Sequence, residues 1–253
     1  LSLSPTHSNF FRAGLLLLFL LSLPPGGPAY SFAAQISEAD FARSRDEMVE
    51  RDLSGRGIKN QRVLEAMRLV PRHRFVPEEQ RPAAYQDRPL PIGAGQTISQ
   101  PYVVALMSEL LDLKGGEKVL EIGAGSGYQA AVLSRLAEEI YTIEIIPSLA
   151  ARAQETLTRL DYRNISVKTG DGFFGWEEKS PFDAILITAA AENIPEPLWR
   201  QLREGGRLVM PLGEPQRNQQ LIRVRKVGGK QQIENVTAVV FVPMTGAVER
   251  PGR

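Results

Sequence analysis

Apolar residues follow four different patterns along this chain, and each predicts a different kind of structure. Residues 13–23 (AGLLLLFLLSL) are almost continuously apolar, too short to span a bilayer comfortably as a helix but the right length for the apolar core of a signal peptide. Arg12 precedes the run and Ser31-Phe32-Ala33 supplies a small-x-small cleavage pattern, so residues 1–34 read as a signal-like leader. Between Glu38 and Val70, Phe41, Met48 and Leu53, then Val63, Leu64, Met67 and Val70, recur at helical spacing among charges. A break at Gly55-x-Gly57 divides them into two short amphipathic helices. Residues 71–101 show no period and hold six prolines, which predicts an ordered loop lying over a larger body.

After Tyr102 the pattern becomes regular. A helix over VVALMSELLDL ends at Gly115-Gly116, and strands and helices then alternate: strand 118–122, helix 128–136, strand 140–145, helix 148–160, strand 165–168, strand 182–188, helix 197–203 and strand 207–211, with a turn at Gly205-Gly206. Apolar runs such as AILI fit strands buried on both faces, so the expected fold is α/β with a doubly wound parallel sheet. Residues 220–227 and 232–242, joined at Gly228-Gly229-Lys230, read as an antiparallel hairpin closing it. Residues 35–253 thus form one expected domain, with N-terminal helices and a loop over 38–101 and the α/β core over 102–253.

Composition narrows the chemistry. The 30 Lys and Arg against 29 Asp and Glu leave a net charge of +1, so no global field favours nucleic acid or an anionic membrane. Without cysteine, and with only His7 and His73, disulfides, thiolate catalysis and Cys-based zinc sites are excluded, and neither a metal centre nor a histidine triad is expected. His73, Trp176 and Trp199 read as packing residues, and the arginine-rich stretch 43–74 as a solvated face, because its charges alternate in sign.

One segment carries most of the functional signal. The strand VLEI runs into Gly123-x-Gly125-x-Gly127 and then a helix, whereas a dinucleotide fingerprint needs G-x-G-x-x-G, and position 128 is Tyr. The tighter repeat suits backbone approaching a smaller ligand. Glu121 places a carboxylate beside the turn, where it favours a cation and repels phosphate. Glu144 ends the next strand, at a distance suited to the two hydroxyls of a ribose, and Asp171, between Gly170 and Gly172, can accept from an adenine amino group. Adenine, ribose and a cationic tail together describe S-adenosyl-L-methionine.

The sequence resembles the protein-L-isoaspartate (D-aspartate) O-methyltransferases from about Phe41 to Gly246. The motifs that carry the resemblance are RVLEAMRLVPRHRFVP (62–77), GAGQTISQPYVVALM (93–107), VLEIGAGSGYQAAVL (119–133), GDGFFGW (170–176), PFDAILITAAA (181–191) and FVPMTG (241–246). The resemblance implies a Rossmann-like class I S-adenosylmethionine-dependent methyltransferase fold and methyl transfer to the free α-carboxylate of L-isoaspartyl residues in damaged peptides and proteins. D-aspartyl residues are implied as poorer substrates, and repair proceeds through a succinimide. It implies Ser99 as the active-site residue. Gln96, Thr97 and Ile98 lie between the two ligands, Glu121, Glu144, Asp171, Gly172 and Thr245 lie at the cofactor, and main chain at Phe241 and Val242 pairs with the substrate as an added strand. Ile145 departs from a polar residue common after the ribose-binding carboxylate. A monomer is expected. The family is typically cytoplasmic, where S-adenosylmethionine is made, and the alternative is export or membrane tethering through residues 12–34. Two other readings of the residues are a class I methyltransferase for a small molecule or RNA, and a non-catalytic cofactor-binding module.

Overall fold

The computed structural model describes residues 36–214 and 218–249, so the expected leader lies outside the described residues. Helix α1 (Glu38–Met48) begins at a capping box in which Ser37 and Asp40 satisfy each other's backbone N–H groups. It runs on through a π turn (Val49–Leu53), and α2 (Gln61–Leu69) starts where the Asn60 side chain accepts from the N–H groups of Arg62 and Val63. The proline-rich stretch is more ordered than a loop: β1 (Leu90–Gly93) and β2 (Gln96–Ile98) pair as an antiparallel hairpin. Leu90, Ile92 and Ile98 anchor this hairpin in the core.

Helix α3 (Pro101–Leu110) leads into the α/β unit: β3 (Lys118–Ile122), α4 (Tyr128–Leu133), β4 (Glu139–Glu144), α5 (Pro147–Arg159), β5 (Ile165–Thr169), β6 (Phe182–Ile187), α6 (Glu196–Gln201) and β7 (Leu202–Leu212). Strands β8 (Gln219–Val227) and β9 (Lys230–Val239) complete a seven-stranded sheet of order β5-β4-β3-β6-β7-β8-β9. The first five pair in parallel and the last two are antiparallel. The order reverses at β3, with β4 on one side and β6 on the other, which opens a crevice at the strands' carboxyl ends. Successive β3 residues feed opposite layers, Val119 joining the core that includes Leu64 and Val132, and Leu120 the core that includes Leu198 and Trp199.

Three details differ from the sequence expectation. The Gly205-Gly206 turn lies inside β7 as an irregularity, where β6 partners jump from Leu202 to Arg207; a glycine pair accommodates a bulge as readily as a turn. The last strand stops at Val239, because the Gln219 side chain binds both main-chain groups of Phe241 and ends the ladder. Arg72, within the stretch read as solvated, is fully buried: its Nε donates to the Ala84 carbonyl at 2.8 Å, its guanidinium lies 4.9 Å from the Tyr128 ring centre, and burial lowers its pKa to about 10. The neighbouring His73 stacks on Phe41 at 4.1 Å between ring centres, a packing role. Among the described residues, no helix is long and apolar enough to cross a membrane.

Candidate active site

Strand β3 delivers the chain into a turn where Gly123, Gly125 and Gly127 all have positive φ. At Gly123 (φ +96°) the requirement is also steric, because a Cβ there would stand 2.4 Å from Thr188 Oγ1. Gly127 serves packing: it precedes α4, and a Cβ would press on Leu157 and Ala153 of α5. A crevice above the turn is bordered by Gly123 and Gly125, by Glu144 with Ile145 and Ile146, by Gly172, and by Gln96, Thr97 and Thr245. Ile145 makes this part of the wall apolar.

The three predicted acids are held differently. Glu144 lines the crevice, its carboxylate accepting from the Gly125 N–H at 2.7 Å and the Ile146 N–H at 3.0 Å, which couples the ends of β3 and β4. Glu121 is fully buried behind the turn; Thr142 donates to its Oε2 at 2.5 Å, and its Oε1 has no hydrogen-bond partner. Burial, with the charge of Glu144 adding to it and the Thr142 hydrogen bond opposing, pushes the Glu121 carboxyl up to about 8. Asp171 accepts from the N–H groups of Phe173 at 2.9 Å and Ala247 at 2.7 Å, so it ties the C-terminal segment down, while its neighbour Gly172 borders the crevice. An orphaned buried carboxylate oxygen and two acids at strand ends fit a cationic ligand better than a phosphate.

A second depression, a groove, lies beside the crevice. It is lined by Ser99, Gln100 and Val103 on one side and by residues 238–243 on the other, and no Lys, Arg, Asp or Glu borders it among the described residues. Thr97, Thr188, Val242 and Pro243 border both depressions, so the two meet there. The Ser99 hydroxyl makes no hydrogen bond within the described residues, and Ser99 borders both the groove and the small cavity behind the glycine turn. Ile98 is buried and borders a small cavity behind the glycine turn. Of the two residues expected to pair with a substrate strand, Phe241 has both main-chain groups bound by Gln219, at 2.6 and 3.1 Å, and the Val242 carbonyl accepts from Ala190 at 2.9 Å.

Sequence reasoning did not single out Thr188, which follows β6 and borders both depressions. The signal was available: a polar residue directly after an apolar strand, the same cue that located Glu144.

Comparison with known proteins agrees with this geometry. The family model described as protein-L-isoaspartate(D-aspartate) O-methyltransferase matches residues 43–249. A Shewanella sediminis protein named protein-L-isoaspartate O-methyltransferase 2 is 56% identical over 206 residues, covering 81% of this chain and 84% of that protein. One from Opitutus terrae, protein-L-isoaspartate O-methyltransferase, is 50% identical and covers 92% and 98%. Among solved structures, a protein-L-isoaspartate O-methyltransferase superposes with a TM-score of 0.73 at 29% identity, covering 81% of this chain and 67% of the other. A Plasmodium falciparum structure described as an enzyme of the same kind, in complex with S-adenosyl-L-homocysteine, gives 0.69 at 26% identity, covering 79% and 98%.

Proposed function

The chain belongs to the protein-L-isoaspartate(D-aspartate) O-methyltransferase family, and from that premise we propose how its own residues carry methyl transfer from S-adenosyl-L-methionine to the free α-carboxylate of an L-isoaspartyl residue. The observation that carries the reading is the meeting of an acid-bearing crevice and an uncharged groove at Thr97 and Thr188, with the free hydroxyl of Ser99 on the groove side. In this reading the cofactor lies in the crevice, Glu144 faces the ribose, Gly172 and Asp171 border the adenine, and Gln96, Thr97 and Thr245 flank the tail. Glu121, protonated in the cofactor-free protein, stands behind the turn, where a cationic end in the crevice favours its ionised form.

When bound, the sulfonium supplies an activated methyl group. The accepting carboxylate, with an ordinary pKa of about 3.5, is ionised at neutral pH and needs no base. What remains for the protein is alignment and exclusion of water, and alignment alone can be worth about 7–11 kcal/mol. The two reacting charges neutralise each other on the way to the transition state, so a Lys or Arg at the carboxylate would stabilise the ground state more. The uncharged groove suits this, with Ser99 donating a neutral hydrogen bond.

After methylation, the following backbone nitrogen attacks the ester carbonyl and expels methanol, forming the succinimide, whose hydrolysis returns part of the material to normal aspartate. D-aspartyl residues are the poorer substrates. The cytoplasm, where the cofactor is made, is the compartment this reading favours; a mature chain beginning near Ala34 and recovered beyond the cytoplasmic membrane would contradict it. Ser99→Ala tests the catalytic assignment. Loss of a hydrogen bond to a charged group is worth about 1.5–3 kcal/mol, so kcat/KM for an isoaspartyl peptide should fall about tenfold or more while cofactor affinity holds. An unchanged kcat/KM in this variant would remove Ser99 from the mechanism.

A further inference from the structure

Resting on the reading of the crevice as the S-adenosyl-L-methionine site, we infer that the Thr188 hydroxyl is an acceptor that positions the methyl-bearing, cationic end of the cofactor, opposite in polarity to the Ser99 hydroxyl. Thr188 stands at the carboxyl end of β6. It and Thr97 are the two residues that border the crevice, the groove and the small cavity behind the glycine turn alike.

The polarity follows from where its proton goes. Thr188 Oγ1 lies 2.8 Å from the Gly123 carbonyl oxygen and 3.0 Å from that of Ile122, and both are acceptors, so the single hydroxyl proton points at the backbone. What the oxygen turns toward the cavities is therefore lone pairs. Its place is fixed as well: it stands over Gly123, where a Cβ would come within 2.4 Å, so only glycine lets it sit there.

A hydroxyl held in this way can accept but not donate. It has nothing to offer a substrate carboxylate, and it suits hydrogens made acidic by an adjacent sulfonium, which form C–H···O contacts with acceptor oxygens. Ser99, with no internal hydrogen bond among the described residues, keeps its proton free for the carboxylate on the groove side. Crevice and groove thus meet between an acceptor oriented for the cation and a donor available to the anion. Thr97 shares the boundary, but among the described residues no hydrogen bond fixes its polarity.

The test separates charge from shape. S-adenosyl-L-homocysteine lacks both the methyl group and the positive charge, so an acceptor for that end should matter for the methylated cofactor and not for the product. Affinities of wild type, Thr188→Val and Thr188→Ser for both ligands are measured by calorimetry. Thr188→Val should weaken S-adenosyl-L-methionine by about three- to fivefold, the size of one or two C–H···O contacts, and leave the product within about twofold. Thr188→Ser, which keeps the hydroxyl, should restore the difference. Equal weakening of both ligands would mean that Thr188 only braces the glycine turn, and no change in either would mean that the hydroxyl is idle; each overturns the inference. Wild type binding neither ligand would overturn the reading of the crevice itself.

Discussion

Glu121→Gln should change how the stability of the cofactor-free protein depends on pH, and the size of the change follows from burial. The Glu121 carboxyl is fully buried, has one donor in Thr142, and is raised from its ordinary 4.5 to about 8, first by burial. Between those two values the folded protein holds a proton that the unfolded chain has released. Stability from this group is therefore fully present below about pH 4.5 and is lost as pH rises through 8. At about 1.4 kcal/mol for each pH unit, wild type should lose about 4 kcal/mol between pH 5 and pH 9 that Glu121→Gln, neutral throughout, does not lose. Urea unfolding of both proteins at a series of pH values measures it. The difference between the curves cancels contributions common to both, among them that of His73, whose pKa burial lowers to about 4. Parallel curves across this range would refute the assignment of a protonated, buried Glu121.

Two further substitutions probe the walls of the site. Gly123→Ala should reduce affinity for S-adenosyl-L-homocysteine at least about tenfold, since the new Cβ meets Thr188 Oγ1 at 2.4 Å and φ is +96°. Gly116→Ala, with nothing within 4 Å, is the control that should bind normally, and calorimetry on both decides. Gln219→Ala leaves the main-chain groups of Phe241 without their buried partner, so it should cost about 1–3 kcal/mol of stability and raise KM for an isoaspartyl peptide more than it weakens cofactor binding. Thermal unfolding and steady-state kinetics check the two halves of that expectation; an unchanged KM would show that residues 240–243 do not form the substrate wall.

What could be read from the sequence was whatever had a local signature. Strand β6 (Phe182–Ile187) carries the apolar run AILI, and burial on both faces is what such a run requires. Glu144 and Gly123 were legible because the end of a strand in an open α/β sheet is where ligands bind. The hairpin β1–β2 was not, since strands of four and three residues are too short to show a period within a proline-rich stretch. The burial of Arg72 was hidden for another reason: Tyr128, the ring beneath its guanidinium, lies 56 positions along the chain, while nearby charges alternate as on a solvated face. The hydrogen bond from the Ala247 N–H to Asp171 spans 76 positions and leaves no mark on either local pattern.

The central claim, that this site methylates isoaspartyl carboxylates, is tested most directly with labelled S-adenosyl-L-methionine and two peptides identical except for isoaspartate or normal aspartate at one position. The account predicts label on the isoaspartyl peptide alone, because within a chain only that linkage leaves the residue's α-carboxylate free. Equal labelling of both peptides, or of neither by a protein that binds the cofactor, would contradict it.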